Sequence, residues 1–262
     1  MARAAALILT GFGINCDYET QFAFRLAGAD ADRVHLNDLI SDKNMLDRYN
    51  ILAIPGGFSF GDDIASGKVL ANRMRYVLGA ELSRFVRDGK LVIGICNGFQ
   101  VLAKMGLLPG FDSEMKQQVT VAFNDSGKFE DRWVNLKHDT ASKCVFTRGL
   151  DTITLPVRHG EGKFIPRDDA TLNRLKQEGC VVLRYVEPDG SPAAAYPHNP
   201  NGSVDDIAGI CDPSGRIFGM MPHPEGFLFR TNHPRWTRTP LPDNGAGRIF
   251  FENAVAYIEK EM

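Results

Sequence analysis

The chain has 262 residues, of which 44% are hydrophobic and 24% are charged, and its formal net charge is -2. The chain lacks the excess of basic residues that proteins use to bind nucleic acid or acidic membranes, which argues against polyanion binding as the main function. No apolar segment approaches the roughly 20 residues that a membrane span needs. The length suits a single large core, and we expect one domain over residues 1–262.

The amino-terminal MARAAALILTGFG resembles a signal peptide but has no A-x-A-like cleavage site, so we interpret it as a first buried strand. The five cysteines are Cys16, Cys96, Cys144, Cys180 and Cys211. They are odd in number, widely separated and free of C-x-x-C pairs, which argues against a disulfide framework and a zinc knuckle. We therefore expect a cytoplasmic protein without a metal site.

The first hundred residues alternate short apolar runs with amphipathic stretches, the pattern of parallel strands joined by helices. The predicted strands are residues 4–9, 33–36, 51–54 and 91–95, and the predicted helices are 18–27 and 74–86. This part of the chain therefore indicates the α/β class.

The middle of the chain has strand-like runs with shorter connections, which predicts a mixed or antiparallel extension of the sheet. These runs are residues 118–123, 133–136, 145–146 and 153–157. The elements predicted after them are a helix at 170–177, a strand at 181–186, an ordered surface loop at 187–203, strands at 207–211 and 217–221, and a helix at 248–261.

Cys96 lies in GICNGFQ, where a predicted strand gives way to a helix. Gly94, Cys96 and Gly98 fit G-x-C-x-G, the thiol counterpart of the nucleophile elbow, whose sharp turn brings the flanking residues together. A helix N-terminus stabilises a thiolate, and the backbone N–H of Asn97 would face the oxyanion of a tetrahedral intermediate. A buried packing cysteine is the alternative. The two glycines at the required offsets favour the nucleophile.

An activated thiol needs a base and a group that orients the base. Two of the six histidines begin an H-x-E, namely His159 with Glu161 and His223 with Glu225. In extended backbone, side chains two residues apart face the same way, so either carboxylate could orient its imidazole. Spacing alone does not choose between the pairs, and an isolated H-x-E is more often an exposed loop pair.

A glycine-rich loop, PGGFSFGDD, follows the predicted strand at 51–54. Parallel sheets bind ligands beyond the carboxyl ends of their strands, so this loop and the Cys96 turn should open onto one crevice. Gly56 and Gly57 could supply a second oxyanion N–H. A phosphate cradle is the alternative, but the chain has no G-x-x-x-x-G-K-[ST].

Together, PGGFSFGD, GICNGFQVL, RHGEGKF, NPNGS and MMPHPEG resemble the class I glutamine amidotransferases, and within them the glutaminase subunits of phosphoribosylformylglycinamidine synthases. The resemblance implies a three-layer, flavodoxin-like, mostly parallel sheet with helices on both faces and a mixed or antiparallel extension. It implies that Cys96 attacks the side-chain amide of glutamine, giving a γ-glutamyl thioester and ammonia. It also implies that His223 and Glu225 complete the catalytic triad.

The same resemblance assigns further residues to the site. Gly57 and Asn97 would donate backbone N–H groups to the oxyanion. The residues implied to bind or line the substrate are Gly56, Phe58, Gln100 and His159. One position departs from the family, because Gly226 stands where His-Pro-Glu is usually followed by arginine. The departure puts a neighbouring salt link or a partner contact in doubt.

The resemblance further implies that the ammonia passes to a large synthetase subunit that binds the ribonucleotide and ATP with magnesium, often beside a small accessory subunit. No cofactor is expected in this chain. Two other hypotheses stay open: an elbow-cysteine hydrolase of the protease or glyoxalase type, and a non-catalytic subunit that senses glutamine.

Overall fold

The computed structural model describes residues 3–112, 114–193 and 195–262. Within these ranges the strands are β1 (Ala5–Thr10), β2 (Asp30–His35), β3 (Ile51–Ile54), β4 (Leu91–Ile95), β5 (Val119–Phe123), β6 (Glu130–His138), β7 (Thr152–His159), β8 (Glu161–Pro166), β9 (Val181–Val186), β10 (Ile207–Cys211) and β11 (Ile217–Met220). The α-helices are α1 (Asp17–Leu26), α2 (Leu36–Ser41), α3 (Lys68–Arg87), α4 (Asn97–Met105), α5 (Asp169–Gln177) and α6 (Arg248–Glu261). Short 3₁₀ turns lie at Lys43–Arg48, Ser59–Asp62, Val145–Thr147, Val204–Asp206, Pro224–Gly226 and Arg230–Asn232.

One 9-stranded sheet runs through the molecule in the order β2-β1-β3-β4-β11-β10-β9-β6-β7. The strands from β2 to β11 pair in parallel, and those from β11 to β7 pair antiparallel. The parallel part has the flavodoxin strand order. Strands β5 and β8 form a separate 2-stranded antiparallel sheet. The predicted α/β fold with an antiparallel extension is therefore confirmed.

Helices cover both faces of the parallel part. Helix α1 contacts α6, whereas α3 contacts α4. The first pair meets through Phe24 and Phe251, whose rings pack edge to face with centroids 5.0 Å apart. Every residue of β3 and β4 is buried, as expected for parallel strands that lie between two helical layers.

Some predicted elements differ from the observed ones. The strand predicted at 33–36 starts at Asp30 and stops at His35, whose ring nitrogen accepts a hydrogen bond from the N–H of Asn37 and caps α2. The strand predicted at 145–146 is wrong, because Val145–Thr147 is a buried 3₁₀ turn packed against α6. A short apolar run does not distinguish a strand from another buried segment. Strand β8 was not predicted.

The loop predicted at 187–203 is ordered in its described part, and Ala194 within it lies outside the described residues. Buried Asn199 supports the loop, because its side-chain oxygen accepts hydrogen bonds from the N–H groups of Gly202 and Ser203.

In the described ranges no helix is both long and apolar enough to cross a membrane. One domain over residues 1–262 stays a prediction.

Candidate active site

Cys96 forms the turn between β4 and α4. Its backbone has φ 51° and ψ -105°, a conformation that side-chain-bearing residues rarely adopt. A Cβ added at Gly94 would lie 2.6 Å from the carbonyl oxygen of Gly98, and one added at Gly98 would lie 1.8 Å from that of Ile54. Both positions therefore require glycine, and the sharp turn predicted from G-x-C-x-G is confirmed.

The Cys96 turn and the glycine loop open onto the same cavity, which has a volume of about 280 Å³. Gly57, Phe58, Cys96 and His223 all line it. The loop follows β3 and Cys96 follows β4, so both lie at the carboxyl edge of the parallel strands. Pockets for drug-sized ligands measure roughly 300–1,000 Å³, so this cavity suits a single amino acid.

His223 reaches Cys96 because their strands are neighbours. Strand β11 pairs in parallel with β4, with Met220 opposite Ile95, so the two residues follow adjacent strand ends. A Cβ at Gly56 would lie 2.8 Å from the His223 Cε1 and 3.5 Å from the Cys96 Cβ. Gly56 thus leaves the space in which the imidazole and the cysteine meet.

His223 and Glu225 form a buried pair. The Nδ1 of His223 lies 2.6 Å from Oε1 of Glu225, and the residues are 3% and 6% exposed. Burial lowers the pKa of His223, but the charges of Glu225 and Cys96 outweigh it and hold that pKa well above its ordinary value. The raised pKa favours the protonated imidazole, which is the form that can donate a proton to a leaving amine.

The second H-x-E is arranged differently. The carboxylate of Glu161 accepts a hydrogen bond from the N–H of Ser66 at 3.2 Å and lies 3.6 Å from the buried Nζ of Lys104. The Nδ1 of His159 instead lies 3.1 Å from the side-chain oxygen of Asn124. Spacing left the choice between the two pairs open, whereas in the structure His223 with Glu225 is the hydrogen-bonded pair that reaches the cavity.

The predicted oxyanion donors lie where the glycine loop meets α4. The N–H of Ser59 donates to the side-chain oxygen of Asn97 at 3.2 Å, which ties the loop to the first turn of the helix. Asn97 is the first helical residue, so its own N–H has no intrahelical acceptor. Gly57 has φ +147°, and a Cβ there would lie 2.6 Å from the carbonyl oxygen of Gly13. Their role as donors stays a prediction.

Gln100 and His159 are held by other protein groups. The side-chain nitrogen of Gln100 donates to the carbonyl oxygen of Glu161 at 2.5 Å, and its oxygen accepts from the Asn97 side chain at 2.9 Å. Burial lowers the pKa of His159 to about 3, so its ring is neutral. In the described part of the chain neither side chain lines the cavity. Their assignment to substrate binding stays a prediction.

Sequence reasoning missed cavity residues on other segments, chiefly Cys16 just before α1, Glu19 in the first turn of α1, and Arg158 on β7. The carbonyl oxygen of Arg158 lies 3.6 Å from the Cys96 Sγ and accepts the thiol hydrogen bond. The sequence does contain a signal for Cys16, because it follows the first parallel strand as Cys96 follows the fourth. Ligands bind beyond the carboxyl ends of parallel strands, and both cysteines lie there.

Gly226, the position that departs from the family pattern, packs against β7. A Cβ there would lie 3.0 Å from Cγ of Pro156, a closer approach than nine in ten real Cβ contacts. The carbonyl oxygen of Pro156 also accepts the backbone N–H of His223 at 2.8 Å. Glycine at 226 therefore allows β7 to lie close against the turn that carries His223.

Known proteins are similar to the chain over nearly its whole length. Residues 3–258 match the CobB/CobQ-like glutamine amidotransferase domain family. Phosphoribosylformylglycinamidine synthase subunit PurQ of Dehalococcoides mccartyi is 47% identical over 259 residues, covering 98% of each chain. The same subunit of Methanococcus maripaludis is 42% identical over 266 residues, covering 97% of each. A chain in the structure of PurLQS from Thermotoga maritima has 31% identity and a TM-score of 0.74, covering 98% of this chain and 99% of that one.

Proposed function

We propose, since this chain belongs to the CobB/CobQ-like glutamine amidotransferase family, that it hydrolyses glutamine to glutamate and ammonia as the glutaminase subunit of a phosphoribosylformylglycinamidine synthase. One observation carries the proposal. A cysteine on a strained strand-to-helix turn shares a cavity with a buried histidine whose other ring nitrogen is held by a carboxylate. This is the constellation of an activated nucleophile with its base and orienting group.

The first half of the reaction forms a thioester. The Cys96 thiolate attacks the side-chain amide carbon of glutamine, and the carbonyl oxygen becomes an oxyanion that the N–H groups of Gly57 and Asn97 stabilise. Each such donor is worth about 2.7–4 kcal/mol in known cases. Protonated His223 gives its Nε2 proton to the departing nitrogen. Ammonia leaves, and a γ-glutamyl thioester remains on Cys96.

The second half releases glutamate. Neutral His223 takes a proton from water, and the resulting hydroxide attacks the thioester carbon. The carbon–sulfur bond breaks, Cys96 leaves as thiolate, and His223 keeps the proton for the next cycle. Glu225 keeps the imidazole in one orientation through both halves, because its carboxylate accepts the Nδ1 proton throughout.

Opposite charges on the cavity support an amino-acid substrate. Glu19 and Arg158 both contribute to its lining. A carboxylate complements an α-ammonium group, and a guanidinium complements an α-carboxylate. We assign these two residues to the amino-acid end of glutamine, whose side-chain amide would then extend towards Cys96.

A partner is proposed to receive the ammonia. Ammonia released into water at neutral pH is mostly ammonium, which is not a nucleophile, so a water-excluding route preserves the free base. One similar solved structure is that of PurLQS from Thermotoga maritima, and we assign to this chain a large synthetase subunit with a small accessory subunit as partners. ATP and magnesium are assigned to the synthetase. A cytoplasmic location fits the five free cysteines.

The test is replacement of the nucleophile. Cys96→Ala should abolish glutamate release, while the assembled synthase still forms product from added ammonium, because only the ammonia source is lost. Cys180→Ala, at a buried cysteine away from the cavity, is the matched control and should keep glutaminase activity. If Cys96→Ala released glutamate at the wild-type rate, Cys96 would not be the nucleophile.

Two outcomes would support the other hypotheses. Cleavage of peptides or aldehydes, with no turnover of glutamine even beside the synthetase, would indicate a different elbow-cysteine hydrolase. Stoichiometric binding of glutamine without thioester formation or ammonia release would indicate a sensing subunit.

A further inference from the structure

Glu161, from the second H-x-E, has no part in the proposed reaction, yet a well-fixed turn between β7 and β8 presents it. The Nδ2 of Asn124 donates to the carbonyl oxygen of His159 at 2.8 Å, and the Oδ1 of Asn124 accepts the N–H of Gly162 at 2.9 Å. A Cβ at Gly162 would lie 2.3 Å from Cε1 of His159, so only glycine lets the ring pack there. These contacts on either side fix the position of Glu161.

Glu161 belongs to a closed ring of hydrogen bonds, the polar ring, which is made by Asp62, Ser66, Asn97, Gln100 and Glu161. The carboxylate of Glu161 accepts the N–H of Ser66 at 3.2 Å, and the Ser66 hydroxyl donates to Oδ2 of Asp62 at 2.8 Å. The Nδ2 of Asn97 donates to Oδ1 of Asp62 at 3.2 Å and to Oε1 of Gln100 at 2.9 Å. The Nε2 of Gln100 closes the ring by donating to the carbonyl oxygen of Glu161 at 2.5 Å.

The polar ring lies largely inside the protein. Four of its five members are at most 8% exposed, and Asp62 is half-buried. Lys104, buried beside the ring, donates to the carbonyl oxygen of Ser66 and pairs with Glu161. Hydrogen bonds are stronger in a low-dielectric interior, and a satisfied buried network specifies one arrangement of the segments that it joins. Those segments are the glycine loop (residues 55–63) with the residues just after it, the first turn of α4, and the start of β8.

The segment that the polar ring holds has strained backbone. Phe60, Asp62 and Ile64 have φ of 56°, 54° and 74°, in the left-handed region that residues other than glycine rarely adopt. Such backbone persists only where surrounding contacts fix it. The Oδ1 of Asn97 holds the other end of this segment by accepting the N–H of Ser59. The conformation of the loop that carries Gly57 therefore depends on the ring.

We propose that Asp62, Ser66 and Glu161 are positioning residues, which hold the glycine loop against α4 so that the N–H of Gly57 faces the oxyanion. The proposal rests on the proposed glutaminase function. Asn97 couples the two predicted donors, because its side chain belongs to the polar ring and its backbone carries the second N–H. Oxyanion donors act only when they are fixed before the reaction, and a displacement of about 1 Å can cost about 10²-fold in rate.

Alanine variants of the polar ring test the proposal in steady-state glutamate release with the synthetase present. Asp62→Ala should lower kcat by about 10²-fold and leave KM within a few-fold of the wild type, because the oxyanion exists only in the transition state. Ser66→Ala removes one hydrogen bond and should give a smaller decrease in kcat. Asp63→Ala, at the exposed carboxylate next along the loop, is the matched control and should match the wild type.

A conservative variant distinguishes the hydrogen bonds from the charge. Asp62→Asn should keep most of the activity, because its side-chain oxygen can accept from Asn97 and its NH₂ can donate to the Ser66 hydroxyl. Asparagine also tolerates the left-handed backbone at this position. Equal losses of kcat in Asp62→Asn and Asp62→Ala would overturn the proposal, and so would an unchanged kcat in both alanine variants.

Alkylation of Cys96 separates positioning of the oxyanion donors from general damage to the site. Iodoacetamide forms a sulfur–carbon bond with Cys96 as iodide leaves, and no oxyanion develops in this reaction. The alkylation rate of Cys96, followed by mass spectrometry, should therefore stay at the wild-type value in every variant. A fall in alkylation parallel to that in kcat would overturn the proposal. Absence of glutamate release by the wild type beside the synthetase would instead contradict the proposed function.

Discussion

His223 shows how neighbouring charges set the protonation state of the proposed base. Burial alone would make the imidazole neutral, as it does for His159, yet the pKa of His223 lies well above its ordinary value. The largest difference is the carboxylate of Glu225 at 2.6 Å from Nδ1, and the charge of Cys96 adds to it. A negative neighbour favours the protonated ring enough to outweigh desolvation.

Glu225→Gln should therefore lower kcat by about 10²–10⁴-fold with a smaller effect on KM, because the amide has the same shape but no charge. The measurement is steady-state glutamate release. The matched control is Glu187→Gln, where a half-exposed carboxylate lies 3.0 Å from the His198 ring, away from the cavity. A kcat of Glu225→Gln within a few-fold of wild type would contradict the orienting role.

His159 should make the fold sensitive to acid. Its pKa is about 3 in the folded chain, against an ordinary value of 6.5. Between these values the unfolded chain binds a proton that the folded chain does not. The contribution of His159 to the free energy of unfolding is therefore fully present above pH 6.5 and falls as the pH drops towards 3. The loss is at most about 1.4 kcal/mol per pH unit.

Ring NMR signals of His159 provide the check. They should stay those of a neutral imidazole from about pH 7 down to the onset of acid unfolding, while the free energy of unfolding declines. A titration of the folded protein with a midpoint near the ordinary value would contradict the effect of burial.

At the scale of elements, the Cys96 turn depends on how closely α4 approaches β3. Gly98 lies in the first turn of α4, and its Cα faces the carbonyl oxygen of Ile54 with no room for a methyl group. The same approach holds Asn97 against the glycine loop through Ser59. Packing between these elements thus positions Cys96 and the predicted oxyanion donors together.

Gly98→Ala should destabilise the fold by about 4 kcal/mol or more, or prevent folding, because the Cβ would lie 1.8 Å from the Ile54 oxygen. Denaturant unfolding measures the change. Gly79→Ala in α3 is the matched control, since a Cβ there meets nothing within 4 Å, and it should stabilise by about 0.8–1.0 kcal/mol. Equal stabilities of the two variants would refute the steric argument.

A buried charge pair joins α4 to the first residue of β8. Lys104 is 6% exposed and lies 3.6 Å from Glu161, which is 8% exposed. Burial lowers the pKa of Lys104, so the ammonium relies on that carboxylate and on the carbonyl oxygen of Ser66. Losing one partner leaves an uncompensated buried charge.

Lys104→Met should lower the free energy of unfolding by about 3–5 kcal/mol. Adding Glu161→Gln should recover part of that loss, because it removes the buried carboxylate charge that has lost its partner. A double-mutant cycle by chemical denaturation gives the coupling energy. Strictly additive losses would show that the two charges do not support each other.

At the scale of the whole molecule, the cavity opens beside exposed apolar side chains. Phe58 and Phe129 line it and are 46% and 53% exposed, and Ile64, which directly follows the glycine loop, is 89% exposed. Exposed apolar groups clustered at a functional cavity mark a surface that another protein covers. The proposed synthetase would cover this face and shield the departing ammonia from water.

Ile64→Asp should weaken assembly with the synthetase by about tenfold or more, since a charge would be buried at the contact. The folded chain itself should be unaffected, because the side chain is almost fully exposed. Calorimetric titration of synthetase with the variant is the measurement. Tyr76→Asp, at a similarly exposed residue of α3, is the control, and equal affinities of the two variants would locate the contact elsewhere.

The sequence by itself determined the fold class, the strained cysteine turn and the location of the crevice. These follow from local rules: apolar runs in strand lengths, glycines two residues either side of Cys96, and the edge at which parallel strands end. Elements with strong local patterns, such as β3, β4 and α6, have the predicted bounds. The strand predicted at 145–146 is instead part of the 3₁₀ turn Val145–Thr147, because tertiary packing selects the conformation of this segment.

Only the tertiary structure decided which histidine meets Cys96 and which residues surround it. The two H-x-E pairs have the same spacing, and the pairing of β11 with β4 is what brings His223 to Cys96. Glu161 is instead bound to Ser66 and Lys104. Cys16 joins the site because β1 ends at the same edge of the sheet. Contacts between residues far apart along the chain depend on strand order, which local patterns do not encode.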